Sequence, residues 1–115
     1  MIDSHCHLND DKLFIDLDGV IARGRAVGVE TFIVPGYDLS SSIRAVDIAE
    51  DNEDIYALVG IHPHDALTYN DEVETVIEDL LKKDKVVGLG EIGLDYFYDN
   101  SPREKQREVF IKQLE

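Results

Sequence analysis

The chain has 115 residues, 43% of them apolar and 31% charged, and a formal charge of −14. That suffices for one folded domain and excludes a compositionally disordered segment. The acidity excludes unassisted binding of a polyanion through a basic face, while leaving room for a nucleic-acid substrate held at metal ions.

Met1 to Cys6 reads as a first strand. Residues i and i+2 of a strand share a face. His5 and His7 therefore project together, and Cys6 points away from them as a small core residue. Asp3 shares the histidine face and is placed to support it by a hydrogen bond from behind the ligands. Cys6 is the single cysteine, so no internal disulfide forms. With no charged leader and no apolar run of about eighteen residues, the expected setting is the reducing cytoplasm, without a membrane. His7 to Phe14 reads as a loop. Leu17, Val20, Ile21, Gly24 and Val27 then fall on one helical face, with Gly28 in the helix-ending position.

Glu30 to Val34 is a β-branched, apolar strand closed by Pro35 and Gly36. Ser40 to Asp51 reads as a helix with Ile43, Val46 and Ala49 inward. Ile55 to Ile61 reads as a third strand and runs into His62-Pro63-His64. Val73, Val76, Ile77, Leu80 and Leu81 form the clearest helical stripe. The acidic residues between Asp71 and Asp79 form its solvated face, and Lys82, Lys83 and Lys85 follow at the end where cations oppose the helix dipole. Val86 to Leu94 reads as the fourth strand, with Asp95 at its end. Tyr96, Phe97 and Tyr98 read as an aromatic cover for a rim. Ser101, Pro102 and Glu104 form the N-cap, first position and capping box of a fourth helix. On it, Arg103 and Arg107 pair with Glu104 and Glu108.

Strands alternating with helices imply a parallel sheet with right-handed crossovers. The fold class is α/β: parallel (β/α) units, with a small open sheet or part of a TIM-type (β/α)8 barrel as the two architectures. The last helix, carrying Val109, Phe110 and Leu114, runs to Glu115 without a stop signal. That favours about half of a barrel, residues 1–115 forming a single domain. In either architecture the functional residues belong at the C-terminal ends of the strands.

All four histidines occur as two His-x-His pairs at strand ends. His5, His7 and Glu91 make a two-histidine, one-carboxylate set suited to Zn²⁺, Mn²⁺, Fe²⁺ or Ni²⁺. A carboxylate can also bridge two ions, each oxygen binding one. Glu91 stands between Gly90 and Gly93, which admit close approach. His62 and His64 are candidates for substrate contacts, for further ligands or for loop residues capping the next helix, held by the rigid Pro63 between them. Asp95 is a candidate for orienting a ligand from behind.

Asp3-Ser4-His5-Cys6-His7-Leu8, Val59-Gly60-Ile61-His62-Pro63-His64, Gly90-Glu91-Ile92-Gly93-Leu94-Asp95-Tyr96 and Phe110-Ile111-Lys112-Gln113-Leu114 together resemble, in order and spacing, the TatD-like metal-dependent deoxyribonucleases. These are (β/α)8 barrels of the amidohydrolase superfamily. The resemblance implies that His5 and His7 bind one metal and that Glu91 bridges to a second. The complete enzyme would use two divalent ions, Mg²⁺, Mn²⁺ or Zn²⁺. It implies DNA as substrate, cleaved by a metal-activated water, with Glu91 as a catalytic group. The family's two further histidines and late aspartate lie beyond Glu115. The expectation is therefore an N-terminal half-barrel, inactive alone. One competing reading is a half-barrel that binds metal or self-associates through its open edges without turnover. Another is an amidohydrolase acting on an amide or lactone. Many such enzymes bridge their metals with a carbamylated lysine, whereas the fourth strand here offers Glu91 and no lysine.

Overall fold

A computed structural model describes residues 1–96 and 100–114, apart from the side chains of Lys12 and Leu13. The elements in chain order are β1 (Ile2–Asp3), α1 (Asp11–Phe14), α2 (Leu17–Ala26), β2 (Thr31–Pro35), α3 (Leu39–Glu50) and β3 (Ile55–Val59). A 3-10 helix (Pro63–Thr68), α4 (Asp71–Leu81), β4 (Val86–Leu89) and α5 (Arg103–Leu114) complete them. The four strands pair in the order β1-β2-β3-β4, all parallel. The β/α alternation is therefore as expected, with α1 and the 3-10 helix in stretches read as loops.

Alternation along the strands divides the sheet into two faces. Phe32 and Val34 of β2 join Ile55, Ala57 and Val59 of β3 in the core, which continues through Ala45, Val46 and Ala49 of α3 and Val73, Ile77 and Leu80 of α4. On the other face Ile33, Tyr56 and Leu58 are half-buried. The helices begin where side chains satisfy their free N–H groups. Asp38 caps α3 in a reciprocal box with Ser41, and Asn70 caps α4 by accepting from Val73 N. Gly28 follows α2 with φ of +98°, a conformation that side-chain-bearing residues resist.

Several sequence readings need correction. Ile43 is 40% exposed, and the buried face of α3 runs instead through Ser41, Ser42, Ala45, Val46, Ile48 and Ala49. The first turn of α3 lies so close to the end of β2 that only small residues fit. A Cβ on Gly36 would lie 2.2 Å from Ser42 Oγ. Val27 and Leu81, each at the end of its helical stripe, are also exposed. The fourth strand ends at Leu89 and not at Leu94, because Gly90 leaves the ladder after donating to Val59 O. Ser101 does not form the capping box. The helix starts at Arg103, Pro102 O accepts from Gln106 N, and the Ser101 hydroxyl donates to His64 O. Arg103 and Arg107 bond the carbonyl and hydroxyl of Tyr96 rather than Glu104 and Glu108, and Lys105 pairs with Glu108. Phe97 and Tyr98 lie outside the described residues.

Far from the histidines, Arg25 closes the other end of the sheet. It donates to both oxygens of Asp54, at 2.8 and 2.7 Å, and to Asn52 Oδ1. The guanidinium holds the Asp54 carboxyl below its ordinary range. A carboxyl whose pKa is depressed by folding stabilises the fold above its unfolded pKa, and loses that contribution as pH falls through its folded pKa. The pair is largely solvated, so Asp54→Asn should cost less than about 1 kcal/mol at neutral pH. Urea unfolding at a series of pH values checks this: the gap between wild type and variant should close as pH drops below the carboxylate range.

Candidate metal centre

The centre is assembled at the C-terminal ends of the strands. β1 stops at Asp3, so the histidines follow the strand rather than ending it. Cys6 N still donates to Ile33 O, which prolongs the extended path beside β2. The expected alternation therefore survives. Cys6 turns toward the core, its thiol pushed up to about 12 by burial and by nearby Asp3. His5 and His7 turn together the other way, with their rings in edge contact. Asp3 Oδ1 accepts from the His5 backbone N–H at 3.3 Å, so it braces the turn and not the imidazole.

Glu91 has farther to come. Neighbouring strands lie about 4.8 Å apart, so in a flat sheet the ends of β1 and β4 would be about 14 Å from one another. The chain covers the difference after Gly90. Glu91 N donates to Gly36 O at the end of β2, so the chain crosses over the end of β3. That crossing needs a glycine at the end of β3. A Cβ on Gly60, at the end of β3, would come within 3.0 Å of the Gly90 backbone. The Gly90–Glu91 peptide is cis.

The result is a tight group. His5 Nε2 and His7 Nε2 are 3.1 Å apart. Glu91 Oε1 lies 3.7 Å from His5 Nε2, and Oε2 lies 3.9 Å from His7 Nε2. Among the described residues, this is the one group of three His, Cys, Asp or Glu side chains whose donor atoms all lie within 4.8 Å of one another. Adjacent ligands on an ion with bonds near 2.1 Å are separated by about 3–3.5 Å, so the nitrogens already have that spacing and the carboxylate stands slightly back. The donor set, two neutral nitrogens and one anionic oxygen, fits a borderline or hard divalent cation.

Beside this group lies the second His-x-His pair. His62 N donates to Tyr37 O, fixing the end of β3 against the end of β2. His62 Nδ1 accepts from the His64 backbone N–H at 3.1 Å. The neutral ring therefore carries its proton on Nε2. Burial, reinforced by His64, pushes the His62 pKa down and keeps the ring neutral at neutral pH. His64 turns to Asp95, with Nε2 donating to Asp95 Oδ2. Asp95 thus supports the second pair, not His5 or His7. The sequence reading missed Gln106 and Gln113, whose carboxamides bond the backbones of Asp95 and Ile61 in two directions each. No local pattern marks a glutamine that serves a loop from another element; the one signal was the recurring Phe110–Leu114 motif that contains Gln113.

The model of the family described as TatD related DNase matches residues 2–115. A Bacillus subtilis protein named as an uncharacterized metal-dependent hydrolase, YabD, is 41% identical over 99% of the chain. A Cronobacter turicensis protein named as the 3'-5' ssDNA/RNA exonuclease TatD is 35% identical over the same share. The chain spans 45% and 43% of the length of these two relatives. Among solved structures, the TatD homolog YjjV from Escherichia coli superposes over 99% of the chain and 45% of its own, with a TM-score of 0.90 and 32% identity. A Saccharomyces cerevisiae amidohydrolase shares the fold, with a TM-score of 0.77 at 21% identity over 98% of this chain and 42% of that one. The four β/α units are thus half of a barrel.

Proposed function

We propose a function from one premise: the chain belongs to the TatD-related DNase family of metal-dependent hydrolases. Our reading is that the protein hydrolyses phosphodiester bonds of DNA at a centre of divalent ions. The convergence of His5, His7 and Glu91 carries it. His5 and His7 would hold one cation, their Nε2 atoms facing each other at 3.1 Å. Glu91 turns one oxygen toward each histidine and would join them as a ligand; a carboxylate can also serve a second ion, as the family resemblance implies. Bound divalent ions supply activation of water and neutralisation of charge at the phosphate, which offsets the repulsion between DNA and a chain of charge −14. Mg²⁺, Mn²⁺ and Zn²⁺ are the candidate ions.

His62 and His64 contact the substrate rather than the metal. The neutral His62 ring offers an Nε2–H to a phosphate oxygen. Asp95 fixes the His64 ring, and Asp3 fixes the turn that carries His5.

The family's relatives are more than twice as long, so the activity belongs to the whole protein and residues 1–115 alone should give no turnover. The test follows a 5'-labelled single-stranded oligonucleotide with each of the three metals, using a polypeptide that contains the complete barrel. Metal-dependent shortening from the 3' end is expected, lost with EDTA. An intact oligonucleotide under all three metals would sink the nuclease reading.

A further inference from the structure

Four residues near the centre form a closed circuit of hydrogen bonds. His64 Nε2 donates to the Asp95 carboxylate. Asp95 N donates to Gln106 Oε1 at 2.7 Å, and Gln106 Nε2 donates back to Asp95 O at 3.0 Å. The same Nε2 donates to Ser101 O at 2.8 Å. Ser101 Oγ donates to His64 O at 2.9 Å, which closes the ring. Gln106 is 1% exposed and Ser101 2%.

We propose that Gln106 is a positioning residue: with Ser101, it fixes the His64–Asp95 pair at the rim of the metal centre. Asp95 lies beyond the end of β4, and no strand ladder holds its backbone. The Gln106 carboxamide takes that place, presenting one acceptor and one donor to the N–H and C=O of a single residue, as a neighbouring strand would. Its second donation ties in Ser101, and through Ser101 the backbone of His64. Both members of the pair are thereby held at the main chain as well as through their side chains. The burial makes the link rigid: a buried amide that lost these bonds would stand unsatisfied. Gln113, about two turns along the same face of α5, grips Ile61 in the same two-way fashion just before His62. α5 therefore grips both strand-end segments, the one after β3 that carries the second histidine pair and the one after β4 that carries Asp95.

The inference rests on reading His64 as a substrate contact, and its test separates the two. The measurement is the imidazole N–H resonance of His64, followed by NMR in the intact protein for wild type, Gln106→Met, Ser101→Ala and Val109→Ala. Val109 is buried on the same helix and takes no part in the circuit, so its variant reports general loosening. Gln106→Met and Ser101→Ala should shift or broaden the His64 resonance in protein that a melt shows to be folded, and Val109→Ala should not. In the complete enzyme, Gln106→Met should raise KM for the oligonucleotide about tenfold, with metal affinity held within about twofold. If Gln106→Met does not fold, Ser101→Ala decides the matter. An unchanged His64 resonance in folded variants overturns the proposal. A shifted resonance in a protein without nuclease activity supports the circuit and counts against the nuclease reading alone.

Discussion

Glu91→Gln is expected to lower affinity for the divalent ion by more than about 100-fold and to leave almost no hydrolysis. Removing a group that merely supports a metal ligand costs about 10–100-fold in affinity or activity, and Glu91 belongs to the proposed ligand group itself. The substitution keeps the volume and one carbonyl oxygen. It removes the negative charge and the second equivalent oxygen, the feature that lets one side chain serve both His5 and His7. The backbone anchor from Glu91 N to Gly36 O is untouched, so the fold should survive. Calorimetric titration with Mn²⁺ beside a thermal melt checks both halves. Near-wild-type metal affinity in a folded variant would mean that the carboxylate is not a ligand.

The second large effect is structural and reaches the same centre. Gly36→Ala should destabilise the protein by about 1–3 kcal/mol or more, as insertion of a methyl into a packed site does. The added Cβ would meet Ser42 Oγ at 2.2 Å and Ser42 Cα at 2.6 Å, and the latter is backbone of α3 that no rotamer change can move. Relief requires α3 and the end of β2 to separate. The Gly36 carbonyl that receives Glu91 N would then shift, so metal affinity should fall along with stability. Chemical denaturation of the apo-protein gives the first number and metal titration of the folded protein the second. A variant as stable as wild type would show that the β2–α3 junction has slack.

Much of the scaffold is legible in the sequence because its signals are local. Ile55 to Val59 and Thr31 to Val34 are short apolar runs. The α4 stripe has helical period. His5 and His7 follow from alternation alone. What escapes is set by closeness between elements. Nothing between Leu89 and Leu94 says that the chain leaves the ladder at Gly90 and crosses to Gly36. Asp95 sits in sequence beside Glu91 and yet pairs with His64. Ile43 has the right spacing for the core, but Ser41 and Ser42 take that face because β2 approaches too near for a larger side chain. Gln106 has no apolar or charged periodicity to betray it, and its importance appears only once three backbone groups converge on its amide.

The proposed function stands on His5, His7 and Glu91 binding a divalent cation. Anomalous scattering from crystals grown with Mn²⁺, collected at wavelengths on either side of the manganese edge, tests it most directly. A manganese peak bounded by His5 Nε2, His7 Nε2 and the Glu91 carboxylate is expected, absent from crystals of Glu91→Gln. A manganese peak elsewhere with none among these three side chains, at metal concentrations that saturate the protein in solution, would contradict it.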